Sequence, residues 1–203
     1  MIEKHNYNGK NKEEVLEKIK EELGKEEQDL VLVQVEQKKT LIRKKEEYIV
    51  YLKQDINDFI KTKISEIIEN MGLTPQLETK VREDNTIFTV RSDNNAILIG
   101  KNGRTINAIQ TLIRSMLYKE INTSYNFTVD VSDYKQKNQA RIERLAKYTA
   151  RDVARSKVAV SLEPMNSYER RIIHSILSDS KDIETISEGE EPNRYVVIKP
   201  KGE

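Results

Sequence analysis

The sequence predicts an α+β chain of three small domains, with boundaries at residues 1–53, 54–134 and 135–203. Composition is the first reason. The 203 residues are 36% hydrophobic and 34% charged, which favours small domains with much solvated surface over one thick core. Periodicity is the second. Apolar spacing switches repeatedly between helical and strand-like. It runs β-α-β-β, then α-β-β-α-α-β, then two helices among short strands forming a small antiparallel sheet.

In the first domain, residues 2–8 read as a weak strand. Residues 11–23 read as a helix capped by Asn11, with Glu14 three residues on completing a capping box. Val15, Leu16, Ile19 and Leu23 fall at helical spacing, and Gly24 suits the stop. Residues 30–35 and 48–52 are strands, joined by the basic stretch 38–45. About 50 residues lie near the lower limit for independent stability.

Residues 53–57 read as a short polar junction. The helix 56–71 carries Ile56, Phe59, Ile60, Ile64, Ile67, Ile68 and Met71 on one side, with Gly72 as its stop. Residues 76–82 and 86–91 alternate like half-buried strands. A short helical turn (94–99), a glycine loop and a helix (104–118) follow. That helix is expected to bury Ile106, Ile109, Leu112, Ile113, Met116 and Leu117. Residues 127–131 form the last strand.

The third domain opens with a long helix, 136–157, whose apolar stripe is Ile142, Ala146, Thr149 and Val153. Residues 158–162 read as a strand. Pro164 opens a helix to residue 178, packed by Tyr168, Ile172, Ile173, Ile176 and Leu177. Residues 183–187 and 194–198 read as an antiparallel pair.

Several function classes are excluded or disfavoured. There is no cysteine, so disulfides, thiolate metal sites and thiol catalysis are out. Two histidines make a multi-histidine metal site a poor expectation. No cofactor or metal is expected, and no P-loop or nucleophile motif suggests an enzyme. No apolar run approaches the roughly 20 residues needed to span a bilayer, and no signal-peptide pattern opens the chain. The expected location is cytoplasmic, with peripheral membrane association through a partner left open. Net charge is +1, but the distribution is uneven. Residues 135–157 hold Lys135, Lys137, Arg141, Arg144, Lys147, Arg151, Arg155 and Lys157 against only Glu143 and Asp152.

Three candidate sites follow. The first is Ile99-Gly100-Lys101-Asn102-Gly103-Arg104. Glycines let a backbone turn sharply and let a ligand approach closely. Amides at a helix start attract phosphate, and Lys101 and Arg104 add cationic charge. A helix-capping turn is the bland alternative. The α-β-β-α-α-β context instead resembles a type II KH domain, in which a GXXG loop clamps the nucleic-acid backbone. That resemblance implies phosphates on the loop and bases over Ile97 and Ile99.

The second candidate is Arg170-Arg171-Ile172-Ile173-His174. Arg170 and His174 share a helix face at a spacing of four. A solvated face is the ordinary reading. Yet residues 163–171, with the later 188–194, resemble the R-x-x-x-H domain, which binds single-stranded nucleic acid. A binding role for Arg170, Arg171 and His174 is what that resemblance implies. The third candidate is the basic face of the long helix, above all Arg141, Arg144 and Arg151, with Tyr148 interleaved. One sign of charge sustained over about six turns suits phosphate attraction, and Tyr148 could stack on bases.

The order of a small N-terminal domain, a KH domain and an R-x-x-x-H domain resembles the Jag (KhpB) family of bacterial RNA-binding proteins. Residues 55–201 carry most of the likeness. The family's N-terminal domain usually has a KKGFFG-like loop, where this chain has Gln37-Lys38-Lys39-Thr40-Leu41-Ile42-Arg43. The resemblance implies a non-enzymatic, post-transcriptional regulator that binds single-stranded RNA, linked to envelope growth, division or sporulation. It also implies pairing with a small single-KH protein and proximity to a membrane insertase. A homodimer is a further expectation. Two alternatives stay open: a single-stranded DNA binder, and a scaffold that recruits a protein through its N-terminal domain.

Overall fold

The computed structural model describes residues 2–35, 46–82 and 85–202. The loop 37–43 therefore lies outside the described residues. The chain divides into two compact units. One comprises Met1–Leu98 with Thr105–Val129, the other Ile99–Arg104 with Asp130–Glu203.

The first unit begins with β1 (His5–Gly9), α1 (Lys12–Leu23), a 3-10 turn (Glu27–Asp29), β2 (Leu30–Val35) and β3 (Glu46–Leu52). These strands form an antiparallel sheet in the order β1-β3-β2. Asn11 caps α1 by accepting from the Glu14 amide, and Gly24 closes it in the left-handed conformation. Only half of the expected capping box forms, because the Glu14 carboxylate accepts from the Lys10 amide instead. Val15 and Ile19 pack on Leu30, Tyr48 and Val50.

No polar junction follows. Helix α2 (Lys53–Asn70) starts directly after β3. Its Ile56, Ile60, Ile64 and Ile68 are spaced by four and fully buried. Each such side chain contributes about 1.5–3 kcal/mol by leaving water. That apolar ridge overrides the polar residues at the helix start. Met71, expected on the buried side, lies past the helix end and is exposed.

Strands β4 (Gln76–Arg82), β5 (Asn85–Arg91) and β6 (Phe127–Val131) form a second sheet in sequence order. Short α3 (Asn95–Ile99), a 3-10 turn (Lys101–Gly103) and α4 (Arg104–Ile121) stand between β5 and β6. Phe88 and Phe127 meet edge to face at 6.1 Å in the core. Helix α4 buries Ile106, Ile109, Ile113, Leu117 and Ile121. Leu112 falls one position out of that period and is 46% exposed, against expectation.

The second unit carries α5 (Tyr134–Ser156), β7 (Val160–Ser161), α6 (Ser167–Leu177), β8 (Ile183–Glu188) and β9 (Tyr195–Pro200). The sheet is antiparallel, in the order β7-β9-β8. Ile142, Ala146 and Val153 of α5 pack on Ile173, Leu177, Ile183, Val196 and Ile198.

Helix α6 does not open at Pro164. Asn166 caps it through a reciprocal box: its side chain accepts from the Glu169 amide, and Glu169 accepts from the Asn166 amide, each at 3.0 Å. Pro164 and Met165 stay outside the helix, with the Met165 amide donating to the Arg194 carbonyl. Tyr168, expected to pack the helix, is 63% exposed, because it lies off the buried Ile173–Leu177 row.

Candidate nucleic-acid interface

The glycine loop has a backbone that few side chains tolerate. Gly100 (φ 68°), Asn102 (φ 53°) and Gly103 (φ 72°) all occupy positive φ. A Cβ on Gly103 would come within 2.9 Å of the Tyr134 ring, so glycine is required there twice over. Asn tolerates the left-handed region better than most residues.

The same unit docks the loop firmly. The Asn102 side-chain amide donates to the Pro164 carbonyl at 3.1 Å. The Arg104 guanidinium donates to the Pro192 carbonyl at 2.9 Å. Two residues expected to hold phosphate therefore first hold protein. Lys101 is exposed, and among the described residues no carboxylate pairs with it. Ile99 is half-buried, and Ile97, in the first unit, is 48% exposed.

Arg170 is not on a solvated face. It is 7% exposed, and its guanidinium donates to the Glu191 carboxylate at 2.5 Å. Its Nε is buried without a partner among the described residues. Burying an arginine requires such compensation, since an unpaired buried charge is costly. Glu191 adjoins Pro192, so Arg104 and Arg170 reach the same corner of the loop between β8 and β9.

His174 lies one turn further along α6. Its Nδ1 lies 2.6 Å from the Thr185 hydroxyl and its Nε2 lies 2.8 Å from the Ser187 hydroxyl, both on β8. Burial holds its pKa below the usual imidazole value, and the nearby Arg170 charge adds to the shift. With hydroxyls on both ring nitrogens, His174 orients the α6–β8 contact rather than offering a free ring. Arg171 is exposed.

The α5 face forms as expected. Ile142, Ala146, Thr149 and Val153 are buried, while Arg141, Arg144, Lys147, Arg151 and Arg155 are exposed. Tyr148 is 67% exposed among them. Arg141 is anchored by a network. Its Nε and Nη2 donate to the Asn138 side-chain oxygen at 3.2 and 2.9 Å. The Asn138 amide in turn donates to Glu169 at 2.6 Å. Burial raises the Tyr134 pKa, the Glu169 charge adds to the rise, and Arg141 opposes it.

The expected residues thus separate by behaviour. Asn102, Arg104, Arg141 and Arg170 are tied into one unit through residues 163–169 and 191–192. Lys101, Arg144, Arg151 and Arg171 are exposed and pair with no carboxylate among the described residues, although Arg144 Nε donates to the Ala140 carbonyl at 3.4 Å. Sequence reasoning missed Glu191, Asn138, Glu169 and Tyr134. Glu169 had a signal, as the third residue of an Asn-capped helix. Glu191 lies within residues 188–194 of the R-x-x-x-H resemblance, but its pairing with Arg170, 21 residues away, forms only through tertiary structure.

Residues 57–129 match the family model of the KhpA/KhpB KH domain, and residues 140–200 that of the R-x-x-x-H domain. The chain is 32% identical over 200 residues to RNA-binding protein KhpB of Bacillus subtilis, covering 95% of this chain and 96% of that protein. It is 39% identical over 134 residues to RNA-binding protein KhpB of Clostridium symbiosum, covering 66% of this chain and 60% of the relative. With the protein of the same name from Lactiplantibacillus plantarum it shares 35% over 132 residues, covering 65% of this chain but 41% of the relative. The matched region thus spans less than two thirds of those last two relatives.

Proposed function

This chain belongs to the KhpB family, and we propose that it binds single-stranded RNA through the unit that holds the GXXG loop, the basic face of α5 and the Arg170 site. The family consists of RNA-binding proteins with KH and R-x-x-x-H domains and is not one of enzymes. Among the described residues no helix is long and apolar enough to cross a membrane.

One observation carries the reading: a preassembled loop with its lysine left open. Gly100, Asn102 and Gly103 hold a strained backbone. Hydrogen bonds to Pro164 and Pro192 hold that backbone before any ligand arrives. A preorganised anion site avoids the ordering cost that weakens binding by flexible segments. Lys101 then serves as the phosphate contact, with Arg144, Arg151 and Arg171 as further cations along the strand. Arg170 is a second phosphate contact, reached when Glu191 gives way. Because these contacts belong to one compact unit, each later one is intramolecular and raises avidity.

Competition separates RNA from the alternatives. A fluorescein-labelled single-stranded RNA bound to the full chain is challenged with matched unlabelled RNA, DNA and duplex RNA. Efficient competition by single-stranded RNA alone is expected. Equal competition by DNA would reassign the site to single strands of either sugar, and no binding of any of them would defeat the reading. Pairing with a single-KH protein belongs to the same proposal, supported by a matched KH model described for KhpA and KhpB alike.

A further inference from the structure

A cavity of about 370 Å³ opens within the second unit, between α5 and residues 161–165. Ile142, Leu145, Leu162 and Met165 give it apolar walls, and Asn102, Arg141, Ser161 and Glu163 form a polar rim. Its size falls at the small end of ligand sites, which run from about 300 Å³ upward. We propose that this cavity is a nucleobase pocket, filled by a base of the strand whose phosphate the glycine loop holds. The proposal rests on the RNA reading above.

Three features point to a base. First, Asn102 of the loop belongs to the rim, so a nucleotide held at the loop has the cavity within its own reach. Second, the wall is built rather than incidental. Glu169, 2% exposed, lines it and fixes Asn138, which fixes the Arg141 guanidinium at the rim. A guanidinium plane so held offers a stacking partner to a base. Third, the remaining chemistry suits a heterocycle, with apolar faces for the ring and the rim carboxylate of Glu163 to accept from an exocyclic amino group. Carboxylates accept from cytosine N4 in this way. A bare phosphate has no use for the Leu145, Leu162 and Met165 surface.

The test compares single-stranded 12-mers of cytidine, of uridine and of abasic ribose phosphate, bound to the full chain. The native chain is expected to bind the cytidine 12-mer at least tenfold more tightly than the abasic one, and at least threefold more tightly than the uridine one. Leu145→Trp fills the cavity from a 36% exposed helix position. It is expected to lower cytidine 12-mer affinity about tenfold while moving abasic affinity less than twofold. A readout on the native chain stands beside the variant. The sequence has four methionines, so methyl-labelled methionine gives four signals, and an adenosine 12-mer should shift that of Met165 by its ring current.

An unmoved Met165 signal at saturation, or equal affinity for abasic and base-bearing strands, would overturn the pocket while leaving RNA binding intact. Equal affinity for cytidine and uridine strands would overturn the Glu163 contact. Failure to bind any of the strands would defeat the RNA reading, and the pocket with it.

Discussion

Replacing Glu191 with Gln is expected to move stability and RNA affinity in opposite directions. The Arg170 side chain is 9% exposed and that of Glu191 60% exposed, with 2.5 Å between charged atoms. A charge-assisted hydrogen bond contributes about 1.5–3 kcal/mol when buried, and solvent on the glutamate side reduces this to about 1 kcal/mol. Glutamine keeps a neutral acceptor but leaves the buried guanidinium charge uncompensated. The free protein should lose about 1 kcal/mol, a drop of about 4–8 °C in the melting temperature of the second unit, which has about 80 residues. A phosphate seeking Arg170 no longer competes with a carboxylate, so the same 1 kcal/mol should appear as about fivefold tighter RNA binding. Fluorescence anisotropy with labelled single-stranded RNA and a thermal melt read the two effects. A variant that melts earlier without binding RNA more tightly would show that Arg170 is a structural ion pair and not a phosphate contact.

Other expectations follow from the same geometry. Gly103→Ala forces Cβ onto Tyr134 and a positive φ onto alanine, and should cost about 1–3 kcal/mol, read as a lowered denaturation midpoint. His174 has a depressed folded pKa, so the unfolded chain takes up its proton first as pH falls. Its contribution is therefore present above the usual value of 6.5 and is lost as pH falls from there toward the folded value. Melting curves from pH 8 to 5 should show a smaller decline for His174→Asn than for the native chain. Arg144→Ala and Arg151→Ala should each flatten the slope of log affinity against log salt by about 1 unit. An unchanged slope would place α5 away from the RNA.

The element order and most of the helix faces were legible because they are local. Asn11, Gly24 and the isoleucine ladder of α2 act within a turn or two of themselves. The GXXG loop was legible for the same reason, since a positive φ leaves its mark as glycine. Finer packing was not. Leu112 and Tyr168 are apolar residues near an apolar stripe, and only the helix phase set by the whole core decides that they face out. Pro164 carries a real helix-start signal, but Asn166 two residues on offers a side-chain acceptor that proline lacks. At the site, residue types were readable and their states were not. Arg170 looked like an exposed cation because its partner, Glu191, arrives through the β8–β9 loop. Asn102 and Arg104 looked like ligand groups because their carbonyl partners, on Pro164 and Pro192, are distant in sequence.

Lys101→Asp is the most direct test of the central claim. The side chain is exposed and bonded to nothing described, so the substitution leaves the docking of Asn102 and Arg104 in place and reverses one charge at the loop. Anisotropy titrations of a labelled single-stranded RNA should show affinity falling at least tenfold, with circular dichroism and melting temperature unchanged. Native-like affinity in the folded variant would contradict the claim that this loop holds RNA.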